Sequence, residues 1–298
     1  MADQDRMMWR PQPHVLRGYA LLADGERGAL VGQDGHVTWL CVPRWHHEPV
    51  FATLVGGRGS YQVAPVDTWS VWSGSYEPGT LIWRGRWTTS DSAVECWDAL
   101  ALPGDEHTAV LLRRIVTTDA PVRMAVALTP RAGFTDRGMT DLGRRNGTWT
   151  ARLGSLYLRW TGAPDAVVHG ADDQLGLIVD VPAGQHHDLV LEMSDQPVGQ
   201  DPPRPDLLWR ATRTRWQARV PAFADTLAPR DTRHAYAVLR GLTSATGGMV
   251  AAATTSLPER QNGGGNYDYR YAWIRDQAWV GQAIATHGPH SLVTDAVE

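Results

Sequence analysis

From about residue 14 to residue 200, apolar positions come in short runs rich in Val, Thr and Trp, broken by Gly, Asp and Pro. Runs of this length and spacing predict strands. They are Gly59–Ala64, Thr80–Thr88, Ala93–Leu100, Ala109–Val116, Val122–Thr129, Thr148–Leu153, Leu156–Trp160, Gln174–Val181 and His187–Met193. Before them, Ala29-Leu30-Val31-Gly32 and His36–Val42 flank Gln33-Asp34-Gly35. That is a hairpin, because Asp-Gly supplies the positive φ of a tight turn. With no long amphipathic helix between the runs, the pattern predicts a β-sandwich and excludes a doubly wound nucleotide fold.

The period lengthens after the proline cluster Asp201-Pro202-Pro203-Arg204-Pro205, a linker signal. A connecting helix is expected over Asp206–Val220, with Leu208, Ala211, Arg215 and Trp216 near helical spacing. A second is expected over Asp231–Thr246, with Asp231 as its N-cap and Ala235, Val238, Leu239 and Leu242 as its apolar stripe. Gly247-Gly248 ends it. After an excursion from Met249 to Tyr271, a third helix spans about Asp276–Thr286, and a fourth begins at His290. The chain stops inside that element, as a truncated chain does.

Composition narrows the function classes. The chain is 43% hydrophobic and 20% charged with net charge −4, which fits a globular protein and gives no basic face for nucleic acid. All of its 28 Lys+Arg positions are Arg, which identifies no ligand. Cys41 and Cys96 each sit in an apolar segment far from the other, so free buried thiols are expected rather than a disulfide or a metal site. Met1–Arg10 has no apolar signal region, and no run approaches the ~18 apolar residues of a membrane span, so a cytoplasmic, soluble chain is expected. The 14 Trp against 3 Phe suit sugar stacking and a sandwich core alike, and composition favours the core. His46-His47 and His186-His187 are adjacent pairs, poor spacing for chelation. Arg210, Arg213 and Arg215 read as a solvated helix face.

One stretch carries chemistry. Thr254-Thr255-Ser256-Leu257-Pro258-Glu259 precedes Asn262-Gly263-Gly264-Gly265-Asn266 and then Tyr267-Asp268-Tyr269-Arg270-Tyr271-Ala272-Trp273-Ile274-Arg275-Asp276. The glycines permit sharp turns or close approach to a ligand. Tyr267, Tyr269, Tyr271 and Trp273 alternate, which puts four rings on one face if the segment is extended. Arg275 and Asp276 stand at the mouth of the third helix. Aromatic planes cover the apolar face of a pyranose, and paired Arg and Asp bind neighbouring hydroxyls. The competing reading is a tyrosine-rich wedge between domains with a local Arg275–Asp276 ion pair. A phosphate loop is excluded by the missing Lys-Ser/Thr and the missing preceding strand.

The stretch resembles the "TTSLPE…G…NWDYRYCWLRD" signature of glycoside hydrolase family 15, which holds glucoamylases, glucodextranases and bacterial-type trehalases. Gly18–Gly25, Ala29-Leu30-Val31, Asp34-Gly35 and Trp39–Arg44 resemble that family's opening, and Tyr76–Thr80 and Leu207-Leu208…Trp216 also fit. Departures are Tyr267 for Trp, Ala272 for Cys, Ile274 for Leu and Gln277 for Ala, with Trp45-His46-His47-Glu48 replacing Phe-Asp-Ser-Pro.

The resemblance implies a β-sandwich (supersandwich) over 1–202, a linker helix over 203–228 and the first helices of an incomplete (α/α)6 barrel over 229–298. It implies inverting hydrolysis of a terminal α-glucosidic bond, with an α-glucoside or oligosaccharide as substrate. Tyr269 and Trp273 would line the glucose pocket, and Arg275 and Asp276 would bind the terminal hydroxyls. The loop 43–48 would face the barrel mouth. No cofactor, metal, nucleic acid or membrane partner is expected.

Inverting hydrolysis needs two carboxyl groups roughly 6.5–9.5 Å apart. In the family both are glutamates on later loops. Asp268 and Glu259 have no evident partner, and Arg275 beside Asp276 suits binding rather than proton donation. No residue is therefore assigned as catalytic, and the isolated chain is expected to be inactive. The alternative is a binding or structural subunit that self-associates or complements a separate barrel chain.

Overall fold

The computed structural model describes residues 12–67, 69–170, 174–255 and 267–297. Two antiparallel eight-stranded sheets face each other. The first contains β1 (Ala20–Ala23), β2 (Gly28–Val31), β3 (His36–Cys41), β4 (Pro49–Phe51), β5 (Ser60–Pro65), β10 (Val122–Thr129), β14 (Val167–His169) and β15 (Gln174–Val181). Its order is β1-β2-β3-β5-β10-β15-β14, with β4 paired to β3. The second contains β6 (Val71–Tyr76), β7 (Trp83–Thr88), β8 (Ala93–Leu100), β9 (Thr108–Thr117), β11 (Thr140–Arg145), β12 (Thr148–Leu153), β13 (Leu156–Thr161) and β16 (His186–Ser194). Its order is β11-β12-β13-β16-β9-β8-β7-β6.

The apolar faces of the two sheets form one core that includes Val37, Tyr61, Val94, Leu111, Val126, Trp160, Leu177 and Leu191. A charged rivet crosses it. Arg113 on β9 is fully buried, pairs with Asp98 on β8 at 2.8 Å, and donates to the carbonyl oxygens of Tyr61 at 2.7 Å and Gly35 at 2.8 Å in the opposite sheet. Such a cation is tolerable only because nearly every donor finds an acceptor. Among the described tryptophans, Trp39, Trp45, Trp87, Trp149, Trp160, Trp209 and Trp216 are buried, in line with the core reading of the Trp surplus.

Helix α1 (Pro205–Arg219) lies on the outer face of the second sheet. Its buried residues are Trp209, Thr212 and Trp216, at i, i+3 and i+7. Of the expected stripe Trp216 is buried and Leu208 packs against the same core, while Trp209, outside that stripe, is also buried and donates its indole N–H to Asp188 at 3.0 Å. Arg213 is not a solvated charge, since it bonds Glu77 and stacks over Trp97. Helix α2 (Pro229–Leu242) starts two residues before Asp231. Asp231 is thus in the first turn and not the N-cap, and the cap position is Ala228. The helix buries Tyr236, Ala237, Gly241 and Leu242, while Ala235 is exposed. Helices α3 (Ile274–Ala285) and α4 (Ser291–Val297) follow. These helices and the outer face of the sandwich share a second core that includes Leu81, Leu112, Val190, Trp216, Tyr236 and Ile284. Among the described residues no helix is long and apolar enough to cross a membrane.

Candidate functional site

The candidate segment leaves α2 through a tight turn. Thr243 and Met249 form a bridge, and Val250 bridges Ala272. Ala251 N–H donates to the Tyr271 carbonyl at 3.1 Å, and Ala252 N–H donates to that of Tyr269 at 2.9 Å. Residues 249–253 and 269–272 thus run as two short extended pieces side by side. The outer piece is pinned to the sandwich, where buried Trp39 donates its indole N–H to the Ala253 carbonyl at 2.7 Å. Ser256–Glu259 and the glycine run Gly263–Gly265 lie outside the described residues.

Arg270 does the equivalent work on the inner piece. Its Nε and Nη2 bind both oxygens of Asp268, at 3.0 and 2.8 Å. Nη1 reaches Cys41 Sγ at 3.3 Å and the carbonyl oxygens of Trp45 and His47 at 3.2 and 2.8 Å. Asp268 therefore has a partner that sequence reasoning did not see. The hydrogen bonds from Arg270 hold its carboxyl below the ordinary range, even though partial burial pulls the other way. Burial pushes the Cys41 thiol up to about 11 against the attraction of Arg270. Both cysteines are free and buried, as expected.

The four residues singled out for sugar binding form a continuous chain of contacts. The Tyr269 and Trp273 rings stack with centroids 6.4 Å apart at 24°. The Arg275 guanidinium lies 5.5 Å from the Trp273 ring. Arg275 Nη2 and Asp276 Oδ2 are 3.2 Å apart, with Arg275 68% and Asp276 34% exposed. Trp273 sits at the N-cap position of α3, so Arg275 and Asp276 occupy its first turn. That places Asp276 where helix geometry favours a negative charge. Tyr267 and Tyr271 are about half exposed and take no part in the stack, so the four-ring face reduces to two rings. Gln277, a departure from the family pattern, brackets the preceding turn: its amide donates to the Gly247 carbonyl at 3.2 Å, and its oxygen accepts from Met249 N–H at 3.3 Å.

Loop 43–48 contributes to a concavity elsewhere. A cleft of about 610 Å³ is lined by Pro43, His47, Glu48, Phe134, Leu156 and Asp195, among others. Tyr269, Trp273, Arg275 and Asp276 do not line it. The two places are linked through Arg270 and the His47 carbonyl. Only one group among the described residues brings metal-ligand atoms together: His186, Asp188 and Asp206. Arg114 bonds both of those carboxylates, at 2.7 and 2.6 Å, which makes the group an ion-pair cluster.

Arg270 is the residue that sequence reasoning missed. The available signal was a lone cation alternating with tyrosines, pointing away from their face. Besides nearby Asp268, its acceptors are Cys41 and two backbone carbonyls more than two hundred residues away, which no local pattern reveals.

Comparison with known proteins gives the following likenesses. Residues 5–148 match the family described as "Trehalase-like, N-terminal", and residues 233–298 match "Glycosyl hydrolases family 15". The chain is 28% identical to a trehalase of Mycobacterium tuberculosis, over 92% of this chain and 44% of that protein. It is 27% identical to a trehalase of Mycolicibacterium smegmatis, over 92% of this chain and 45% of that protein. A trehalase of Thermoplasma acidophilum is 63% identical over a short stretch of 43 residues, 14% of this chain and 7% of that one. Among solved structures, a bacterial glucoamylase complexed with acarbose superposes with a TM-score of 0.52 at 9% identity, covering 97% of this chain and 50% of that one. At that identity the likeness speaks for the fold alone. The chain spans about half the length of these relatives or less.

Proposed function

Because this chain belongs to the family 15 glycoside hydrolases and spans their N-terminal portion, we propose that it forms the glucose-holding part of an inverting α-glucoside hydrolase. The observation that carries the reading is the unbroken series Tyr269–Trp273–Arg275–Asp276, two stacked rings continued by an ion pair. The rings cover the apolar face of a terminal glucose. The guanidinium donates to its hydroxyls and the carboxylate accepts from them. A pair that engages adjacent hydroxyls selects a non-reducing end. The trehalase relatives make α,α-trehalose the first substrate to test, ahead of maltose, isomaltose and starch oligosaccharides.

The carboxylates of the described segment do not fit proton transfer. Asp268 is held ionised by Arg270, and Asp276 is paired with Arg275. The acid and base therefore come from residues outside 1–298, and this stretch alone binds without turning over. Residues 1–202 serve as the sandwich, 203–228 as the connecting helix and 229–298 as the first helices of an (α/α)6 barrel. The test has two arms. Glucose release from trehalose, maltose and starch oligosaccharides is measured for the 298-residue chain, and no turnover is expected. Calorimetric titration with glucose should show binding that Arg275→Ala and Asp276→Asn each abolish. Clear turnover, or binding untouched by both variants, refutes the reading.

A second reading has its own observation. Ile274 is 91% and Trp279 67% exposed on α3, two large apolar side chains left open among the described residues. A complementing barrel chain, or a second copy, would bury them. Sedimentation of the chain at increasing concentration separates self-association from a monomer that needs a different partner.

A further inference from the structure

Another concavity lies apart from the cleft at loop 43–48. Between the Pro78-Gly79 turn and the start of α2 is a cleft of about 350 Å³, lined by Gly79, Ala222, Ala224, Pro229, Arg230 and Arg233. Its two cations lack the carboxylate partner that several other arginines have. Arg113, Arg114, Arg159, Arg213 and Arg270 each bind a carboxylate. Arg230 and Arg233 have no ion-pair or hydrogen-bond partner among the described residues, and Arg233 Nε is buried without an acceptor. Glu77, close by in sequence, is taken by Arg84 at 2.7 Å and Arg213 at 3.1 Å. Asp231 follows Arg230 in the chain but pairs with neither arginine.

Arg233 is also held in place. A Cβ on Gly79, whose φ is +73°, would stand 2.5 Å from Arg233 Nη2, so the bare glycine backbone lies against the guanidinium. The two arginines are three residues apart on one helix and share a face. Forked, weakly hydrated donors converging on a small cleft match the several acceptor oxygens of a tetrahedral oxyanion. A buried cationic N–H with no acceptor is costly, and such a ligand removes the cost.

We propose that this cleft is an oxyanion site for phosphate, free or as the monoester of a small sugar, with Arg233 as the fixed donor and Arg230 as the exposed second one. It is separate from the glucose-holding segment and does not depend on that assignment. The test is calorimetry and thermal shift of the 298-residue chain with inorganic phosphate and with glucose 6-phosphate, using acetate as the control anion. Saturable phosphate binding is expected, weakened about tenfold or more in Arg233→Ala. Arg123→Ala, which removes an exposed arginine paired with Asp180 elsewhere, should leave it unchanged. Tighter binding of glucose 6-phosphate identifies the monoester as the ligand, and equal or weaker binding identifies the free anion. Circular dichroism of unliganded Arg233→Ala reports its fold; should that variant misfold, Arg230→Ala at an exposed position gives the same readout. Absence of saturable binding by both probes overturns the proposal, as does phosphate affinity unchanged in the folded arginine variants.

Discussion

Arg270 Nη1 donates to the carbonyl oxygen of His47 at 2.8 Å, so the segment bearing Tyr269 and Trp273 is fastened to the sandwich by a charged side chain and not by apolar packing alone. Four other acceptor atoms share that guanidinium: both Asp268 oxygens, Cys41 Sγ and the Trp45 carbonyl. Arg270→Ala leaves these groups unmatched and is expected to cost about 2–4 kcal/mol in urea unfolding. Arg270→Lys keeps the charge but not the fork, and should recover less than half of the loss. A neutral outcome for the alanine variant would remove Arg270 from the account of how the segment is held.

Asp34 makes the β2–β3 turn sensitive to acid. Burial opposes its charge, yet pairing with His36 at 3.1 Å and the backbone N–H groups of Gln12 and His36 hold its pKa at about 2. A carboxyl depressed on folding contributes stability that is fully present above its unfolded value, near 4, and is lost as pH falls through the folded one. Between pH 4 and pH 2 the chain should therefore lose about 2 kcal/mol from this group. In Asp34→Asn that part of the pH dependence should vanish, as read from the midpoint of urea unfolding at each pH.

The thiols should be silent. Cys41 and Cys96 are buried and free, and burial raises both, Cys96 with help from the neighbouring Asp98 charge. Reaction follows the thiolate and its access. At neutral pH an alkylating reagent should label neither in the native chain and both after denaturation. Rapid native labelling of Cys41 would show that loop 43–48 opens away from Arg270.

Gly35 tests the hairpin by steric exclusion. Its φ is +72°, and a Cβ there would meet the Val63 carbonyl oxygen at 2.0 Å. Its own carbonyl accepts from buried Arg113. Gly35→Ala is expected to destabilise by about 2–4 kcal/mol. Asn tolerates positive φ but carries the same Cβ, so Gly35→Asn should do no better. If Asn rescues, backbone strain and not contact sets the cost.

Strands buried on one face were legible in the sequence. Ala93–Leu100, Val122–Thr129, Thr148–Leu153 and Gln174–Val181 run from the expected residue to the expected residue. The strands without a signal are β1, β4, β6, β11 and β14, and all five lie at sheet margins or off the main path. β6 and β11 have no buried residue, so their polar and apolar positions follow no burial constraint. β1 is Ala-Leu-Leu-Ala, which neither alternates nor contains a β-branched residue. At the site, the residue types of Tyr269, Trp273, Arg275 and Asp276 announced themselves. Arg270 did not, because apart from nearby Asp268 its partners, Cys41 and the Trp45 and His47 carbonyls, are brought to it by the tertiary fold.

The bond from Trp39 to the Ala253 carbonyl joins positions 214 residues apart in the chain. It contributes nothing until every intervening strand is ordered, since only then is the cost of closing so long a loop already met. The order of events during synthesis follows from this. The sandwich is expected to fold first as it emerges from the ribosome, and the tyrosine-bearing segment to dock afterwards on its surface. Errors in the sandwich would thus be felt at the site before any site residue is changed.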